Sequence, residues 1–365
     1  MLEVSLRQPL DGFTLDLSFE APAGVTVLFG GSGAGKTTVI NAVAGLRRPE
    51  SGRVALNGRV LFDLGKGLWV PPHRRRLGYI FQEARLFPHL TVRQNLLFGR
   101  WFAPRGAVRE DLDRIVAMLG IGALMQRHPV ALSGGEKQRV AIGRALLSSP
   151  DLILADEPLA ALDEARKEEI LPYFERLRDE LKVPMLYVSH SAAEVARLAT
   201  SVVVLKDGQV QRQGNAAEVL GDDRVMPTGV RAAGALLEAR LLRHHPDGLS
   251  ELDAGGVSLF LPQVQQVPGS LLRVRILAQD VILSRQRPEG LSALNILPAE
   301  VEQIRSGIGP GAMVSLKTDA GRVLARITRR SAQALELSSG TQCYAVVKSV
   351  AIARSDVGGA VPVGD

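Results

Sequence analysis

The chain has 365 residues, too many for one comfortable core, and its 46% hydrophobic and 22% charged content excludes a disordered or collagen-like protein. An excess of basic over acidic side chains, 44 against 38, leaves a net charge of +6. That charge suits a polyanionic partner without choosing among nucleotide, nucleic acid and an anionic membrane surface. The single cysteine, Cys343, rules out an internal disulfide or a thiolate metal cluster and favours a reducing compartment.

Taken in chain order, the N-terminal MLEVSLRQPLDG has no cationic segment followed by an apolar one, so no secretory signal is expected. No apolar run approaches the roughly 20 residues that span a bilayer, and a soluble cytoplasmic protein is expected. VTVLF (25–29) reads as a short buried strand ending in glycines, followed by an amphipathic run over 36–46. LGYIFQ, DLILAD, PMLYVSH and SVVVLKDG read as further buried strands, with helical stretches at 108–119, 135–147 and 164–181. Alternating β and α elements predict a mostly parallel sheet covered on both faces. From about residue 231 the texture changes to short alternating runs (VSLFLP, LRVRIL, DVILS, MVSLKT, RVLARIT, YAVVKSV) separated by turn residues. Such spacing predicts an all-β barrel or sandwich. The boundary is expected between residues 221 and 231, and the stretch 285–290 is a candidate divider between two small β units.

Gly30-Gly31-Ser32-Gly33-Ala34-Gly35-Lys36-Thr37 follows a strand and opens a helix, with Thr38 next in line. Glycines at this spacing let consecutive backbone N–H groups turn inward around phosphate oxygens. Lys36 supplies a cation for the terminal phosphates, and the Thr37 hydroxyl is suited to ligate Mg²⁺. A second site is Leu152-Ile153-Leu154-Ala155-Asp156-Glu157, an apolar strand ending in two carboxylates. Ligands bind at that end of an open parallel sheet. Asp156 is the expected Mg²⁺ carboxylate, and Glu157, expected to point to the opposite side, is placed to accept a proton from an attacking water. Between the two lies Leu132-Ser133-Gly134-Gly135-Glu136, whose Ser133 and Glu136 have the spacing of a capping box. A cap needs no glycine pair, whereas Gly134 and Gly135 permit close approach of a helix N-terminus to phosphate.

At this point the sequence resembles the ATP-binding cassette family, whose signature is LSGGQ, with Glu136 here in place of the Gln. The order of motifs is matched through residues 1 to about 220. The resemblance implies a P-loop α/β cassette with a helical subdomain, ATP as the nucleotide and Mg²⁺ as the metal. It assigns Gln82 to the loop that touches the metal and attacking-water region and leans on a membrane partner. Asp163, in Ala161-Leu162-Asp163, matches a loop at the nucleotide interface, and His190 matches the switch histidine. Phe13 is a candidate to stack on adenine, a core position being the alternative. The family's logic requires two cassettes, with ATP between the 30–38 loop of one copy and Ser133–Glu136 of the other. One loop and one signature per chain therefore imply a homodimer.

Residues 291–356 resemble the small OB-like oxyanion-binding β-barrel module of molybdate-handling proteins, in an S-A-x-N-x-L opening, a T-x-x-S-A-x-x-L middle and a V-V-K-S close. Ser292, Ser331 and Lys348 are the possible oxyanion ligands by that match, while Leu294 stands where binding modules often carry Arg. A dimerising or spacing barrel without anion is the alternative. The organisation expected is a cassette over 1–225, a linker and first β region over 226–290, and the barrel over 291–356. Together the resemblances imply the ATPase subunit of a bacterial molybdate (or tungstate) importer at the cytoplasmic face of the inner membrane. It would work with integral-membrane permease subunits and, indirectly, an extracytoplasmic binding protein. An importer ATPase for sulfate, iron or sugar stays open. A nucleic-acid ATPase is disfavoured, because only Phe260 and Tyr344 are aromatic after residue 230 and no dense basic run is present.

Overall fold

The structure is a computed structural model that describes residues 1–102, 110–180, 183–227, 229, 232–306 and 309–359. The helix and domain limits expected at residues 108, 181 and 231 lie outside these. The chain forms two compact units, Met1–His190 with Leu198–Gln213, and Ser191–Arg197 with Gly214–Asp365.

The first unit opens with β1 (Leu2–Leu10) and β2 (Phe13–Ala21), an antiparallel pair in register from Leu2 opposite Ala21 to Leu10 opposite Phe13. Neither strand is among those expected above, although β2 buries every second residue from Leu15 to Ala21, the pattern of a sheet with one dry face. Next come β3 (Val25–Gly30), α1 (Lys36–Ala44), β4 (Ser51–Leu56), β5 (Arg59–Asp63), β6 (Leu68–Trp69) and β7 (Leu77–Ile80). Helices α2 (Val92–Leu97), α3 (Leu112–Leu119) and α4 (Gly134–Leu147) fill the chain before β8 (Leu152–Asp156) and form the helical subdomain. Then follow α5 (Glu164–Glu180), β9 (Met185–Ser189), β10 (Ser201–Lys206) and β11 (Gln209–Gly214), while α6 (Ala192–Leu198), which comes between β9 and β10 in the chain, belongs almost wholly to the second unit.

Two sheets result, of order β2-β1-β4-β5-β6 and β11-β10-β3-β9-β8-β7. The pairs β10–β3, β3–β9, β9–β8 and β8–β7 are parallel, as the alternating elements predicted. β9 is buried at every position, which is why Met185 to Val188 read as an apolar run, broken only by Ser189 at its end. Helix α1 lies in one apolar cluster with both sheets, through Val39, Ile40 and Val43 on its side and Leu6, Phe19, Leu154 and Val188 on theirs. Strand register matters for the site: Phe29 pairs with Ser189, Asp156 with Val188, and Ile80 with Ala155. The residues that follow β3, β9, β8 and β7 therefore leave the sheet side by side at one edge.

The second unit holds α7 (Ala216–Leu220), β12 (Gly234–His244), β13 (Leu249–Ala254), β14 (Val257–Pro262), β15 (Leu271–Leu277) and β16 (Val281–Ser284). It continues with β17 (Asn295–Ser306), β18 (Gly311–Thr318), β19 (Gly321–Thr328), α8 (Arg329–Ala334), β20 (Gln342–Val347) and β21 (Val357–Gly359). The strands make two antiparallel sheets, β14-β13-β12-β15-β21 and β16-β20-β17-β18-β19, in an OB-like barrel architecture. Residues 285–290 do not divide the sheets, because β16 before them and β17 after them both pair with β20. One apolar cluster, from Ala235 to Val357, takes residues from both sheets, so the β region shares a single core.

Candidate functional site

The phosphate loop is the turn from β3 into α1. Gly33 and Gly35 sit at φ 80 and 98, where an L side chain is strained, and a Cβ on Gly35 would come within 2.7 Å of Leu15. Gly31 and Gly33 face open space, with nothing within 4 Å of where a Cβ would stand, so the loop leaves room for a ligand to approach its backbone. Lys36, 4% exposed, donates to Gly30 O at 2.9 Å and Gly31 O at 2.8 Å.

The two carboxylates reach consecutive residues of this loop. Thr37 Oγ1 donates to Asp156 Oδ1 at 3.3 Å, and Lys36 Nζ lies 3.6 Å from Glu157 Oε1. The expected opposite orientation of Glu157 is corrected here. Strand alternation ends at Asp156, and Glu157 takes φ 44, a left-handed turn that swings its side chain back over the sheet edge. Its other oxygen, Oε2, meets His190 Nδ1 at 3.3 Å. Burial raises the Asp156 carboxyl above its usual range, opposed by hydrogen bonds from Thr37 and Tyr79. Burial, and the neighbouring Asp156, also raise the Tyr79 phenol. Hydroxyl and carboxylate oxygens together are the hard donor set that Mg²⁺ takes, and the open loop suits a polyphosphate, so these residues fit both groups.

Ser133 caps α4, which begins at Gly134, one residue before the expected start. Both halves of the capping box form: Ser133 N donates to Glu136 Oε2 at 2.7 Å, and Glu136 N to Ser133 Oγ at 3.3 Å. The Ser133 N–H is the first cause holding the Glu136 carboxyl below its usual range. The same helix steadies the segment after β7, where Gln138 donates to Phe81 O at 3.3 Å and Arg144 to Ala84 O and Arg85 O. Gln82 itself is exposed. Asp163 accepts the Arg166 N–H at 3.0 Å, at the start of α5. Phe13 is half-buried, and a Cβ added to Gly35 would lie 3.8 Å from its ring, so the ring flanks the loop.

Sequence reasoning missed Tyr79 and Asn41. The Tyr79 hydroxyl lies 3.3 Å from Asp156 Oδ2 and 3.1 Å from Asn41 Oδ1. No motif marks either residue. Their one clue is position, Asn41 one helical turn after Thr37 and Tyr79 three residues before Gln82.

In the β unit, several residues of the module-like pattern serve the fold. Asn295 is fully buried and brackets Phe260, accepting its N–H at 2.6 Å and donating to its carbonyl at 2.9 Å. Thr328 caps α8 by accepting from Ser331 N at 3.0 Å, and the two hydroxyls lie 2.7 Å apart. Ser292 and Lys348 are exposed. Both stand just beyond the β17–β20 ladder, which ends at Asn295 opposite Val347. Among the described residues no hydrogen bond or ion pair joins Ser292, Ser331 and Lys348 to one another. Ser331 also lines a cavity of about 710 Å³ with Arg326, Thr328 and Leu335.

Comparison with known proteins adds to this geometry. Residues 14–160 match the family described as ABC transporter, and residues 291–353 match the TOBE domain. The molybdenum import ATP-binding protein ModC of Mesorhizobium japonicum is 49% identical over 363 residues, covering 99% of this chain and 98% of that one. The protein of the same name from Rhizobium johnstonii is 52% identical over 355 residues, covering 96% and 99%. Among solved structures, cbiO1 from Clostridium perfringens, part of the ABC transporter complex cbiONQ, is similar with a TM-score of 0.52 and 29% identity. That alignment covers 61% of this chain and 92% of the other.

Proposed function

The chain belongs to the ABC transporter family, and from that premise we propose that it is the ATPase subunit of a molybdate importer, coupling ATP hydrolysis to uptake through membrane permease subunits. One observation carries the reading. The phosphate loop, the Asp156–Glu157 pair and His190 converge at one sheet edge, in a chain about half identical, end to end, to molybdenum import ATP-binding proteins.

The loop amides and Lys36 bind the phosphates of ATP, and Phe13 flanks the base. Thr37 and Asp156, with Gln82, hold Mg²⁺, which supplies charge neutralisation at the terminal phosphates. Glu157 takes a proton from the water whose oxygen attacks the γ-phosphorus as the bond to the β,γ-bridging oxygen breaks, giving ADP and phosphate. His190 holds the far oxygen of Glu157 and fixes the direction in which its free lone pairs point. Ser133, Gly134, Gly135 and Glu136 of a second copy, with Asp163, complete the site in a homodimer whose closure excludes water. Residues 1–225 carry this chemistry. The barrel at 291–356 offers Ser292, Ser331 and Lys348 to a tetrahedral oxyanion. Among the described residues no helix is long and apolar enough to cross a membrane. The chain meets its permease as a peripheral subunit on the cytoplasmic face, and an extracytoplasmic binding protein delivers the anion.

The test is ATPase activity in proteoliposomes that contain the cognate permease and binding proteins loaded with molybdate, tungstate, sulfate or no anion. Stimulation by molybdate above sulfate is expected. Stimulation by the sulfate-loaded protein alone would replace the substrate assignment and leave the ATPase assignment standing.

A further inference from the structure

Asp156 is gripped at both oxygens by groups from two different elements. Oδ1 accepts from Thr37 on α1, and Oδ2 faces the Tyr79 hydroxyl on β7 at 3.3 Å. Strands β7 and β8 are parallel neighbours, with Tyr79 paired to Leu154, so the phenol extends toward the end of β8 where Asp156 stands. The Tyr79 ring stacks on Phe81, centroids 4.1 Å apart, and packs against the apolar cluster that includes α1. The ring therefore has little freedom to leave the carboxylate.

The phenol has one proton and lies near two oxygens, Asp156 Oδ2 and Asn41 Oδ1. Amide oxygen and nitrogen exchange places on a half-turn of the side chain. With Asn41 so turned, its N–H donates to the phenol oxygen, and the phenol proton is committed to Asp156. Each group then has one role, in the order Asn41, Tyr79, Asp156. Asn41 and Thr37 are both on α1, so the helix that carries the phosphate loop sets both oxygens of the carboxylate, one directly and one through the tyrosine.

We propose that Tyr79 is a positioning residue for the metal site: its hydroxyl, oriented by Asn41, ties back Asp156 Oδ2 and presents Oδ1 on the Thr37 side. This rests on the reading of Asp156 as the Mg²⁺ carboxylate. Groups that hydrogen-bond metal-ligating carboxylates change metal affinity by about 10–100-fold when removed. Tyr79→Phe keeps the ring and its stacking and deletes only the hydroxyl.

The test uses the full chain with ADP and with Mn²⁺ as the probe, free Mn²⁺ being followed by electron paramagnetic resonance. Tyr79→Phe is expected to weaken Mn²⁺ binding about 10-fold, while ADP affinity in EDTA stays within about twofold. Asn41→Ala is expected to give a smaller loss, and the double variant no more than Tyr79→Phe alone, since both act along one chain of contacts. Asp156→Asn separates the positioning role from the metal assignment beneath it. If it weakens Mn²⁺ binding and neither Tyr79→Phe nor Asn41→Ala does, the positioning role is overturned. If Asp156→Asn leaves Mn²⁺ binding unchanged, the metal reading itself fails and takes the proposal with it. An equal loss of ADP affinity in EDTA for Tyr79→Phe would assign the hydroxyl to the loop's fold and also overturn the proposal.

Discussion

Replacing Glu157 by Gln tests the chemistry with the least disturbance to shape. One oxygen of Glu157 lies 3.6 Å from Lys36 Nζ and the other 3.3 Å from His190 Nδ1, so the side chain is held at both ends. In Glu157→Gln the amide oxygen still faces Lys36, and the amide N–H can donate to an unprotonated His190 Nδ1. The exchange alters only the end of the side chain and adds no new demand on the backbone, whose φ at Glu157 is 44. What disappears is the ability to take a proton, and loss of a general base costs about 10²–10⁴-fold in rate. That range is about 2.7–5.4 kcal/mol of barrier, at about 1.36 kcal/mol per decade. Binding should move the other way. A carboxylate 3.6 Å from Lys36 competes with phosphate for the same cation. Two unit charges near this separation interact by about 1 kcal/mol in water. ATP affinity in Glu157→Gln should therefore equal or exceed that of the wild type, by no more than about tenfold. Phosphate release measured alongside equilibrium ATP binding gives both numbers, and size-exclusion chromatography with ATP should show a dimer accumulating. Near-wild-type turnover, or loss of ATP binding in step with turnover, would refute the reasoning.

Glu136→Gln restores the residue of the LSGGQ signature and, because an amide oxygen can still accept from Ser133 N, keeps the capping geometry. The native Glu136 carboxyl is held below its usual pKa, so its contribution is full above the ordinary carboxyl value of 4.5 and is lost as pH falls through the lower folded value. Acid unfolding followed by circular dichroism should then show less loss of stability below pH ~4.5 in Glu136→Gln than in the native chain, and identical acid limbs would contradict the cap argument. Arg75, fully buried, donates to Val70 O, Ala42 O and Val43 O, capping the C-terminal end of α1, and lies 4.5 Å over the Trp69 ring. Burial lowers its pKa to about 10. Arg75→Met leaves Val70 O and Val43 O without their donor, while Ala42 O keeps the Gly45 N–H, and at about 1–3 kcal/mol for each buried group urea unfolding should report a loss of about 2 kcal/mol or more; less than about 1 kcal/mol would show that the desolvated charge cancels its own bonds. For the barrel, calorimetry with molybdate, sulfate serving as control, should give heat that Lys348→Ala abolishes. Silence at millimolar anion would leave the β unit as a structural appendage.

Much of the molecule is legible in one dimension. A buried parallel strand is apolar at nearly every position, so VTVLF, DLILAD and PMLYVSH declare themselves by composition, with Thr26 and Ser189 the buried exceptions. The phosphate loop and the S-x-x-E cap are local devices, whose glycine torsions and i to i+3 hydrogen bonds depend on adjacent residues. Antiparallel strands β1 and β2 are equally readable through their alternation, but the strong motif that follows overshadows them. In the module-like region, pattern without structure could not divide ligand from scaffold. Asn295, which carries part of the resemblance, is occupied in holding β14, and Thr328, which carries another part, caps α8.

What only the tertiary structure decided is which separated residues face one another, and in which direction. Strand alternation would send Glu157 away from Asp156, whereas a positive φ at the strand's end turns it back toward Lys36 and His190. The pairing of Tyr79 with Asp156 joins residues 77 positions apart and depends on β7 lying beside β8, which no local pattern encodes. Sequence thus determined the elements and their chemistry, because secondary-structure periodicity and capping are short-range. The meeting of Asn41, Tyr79 and Asp156 waited on sheet order and register, because those are settled by burying one apolar cluster that draws on helix α1 and on strands of both sheets of the first unit.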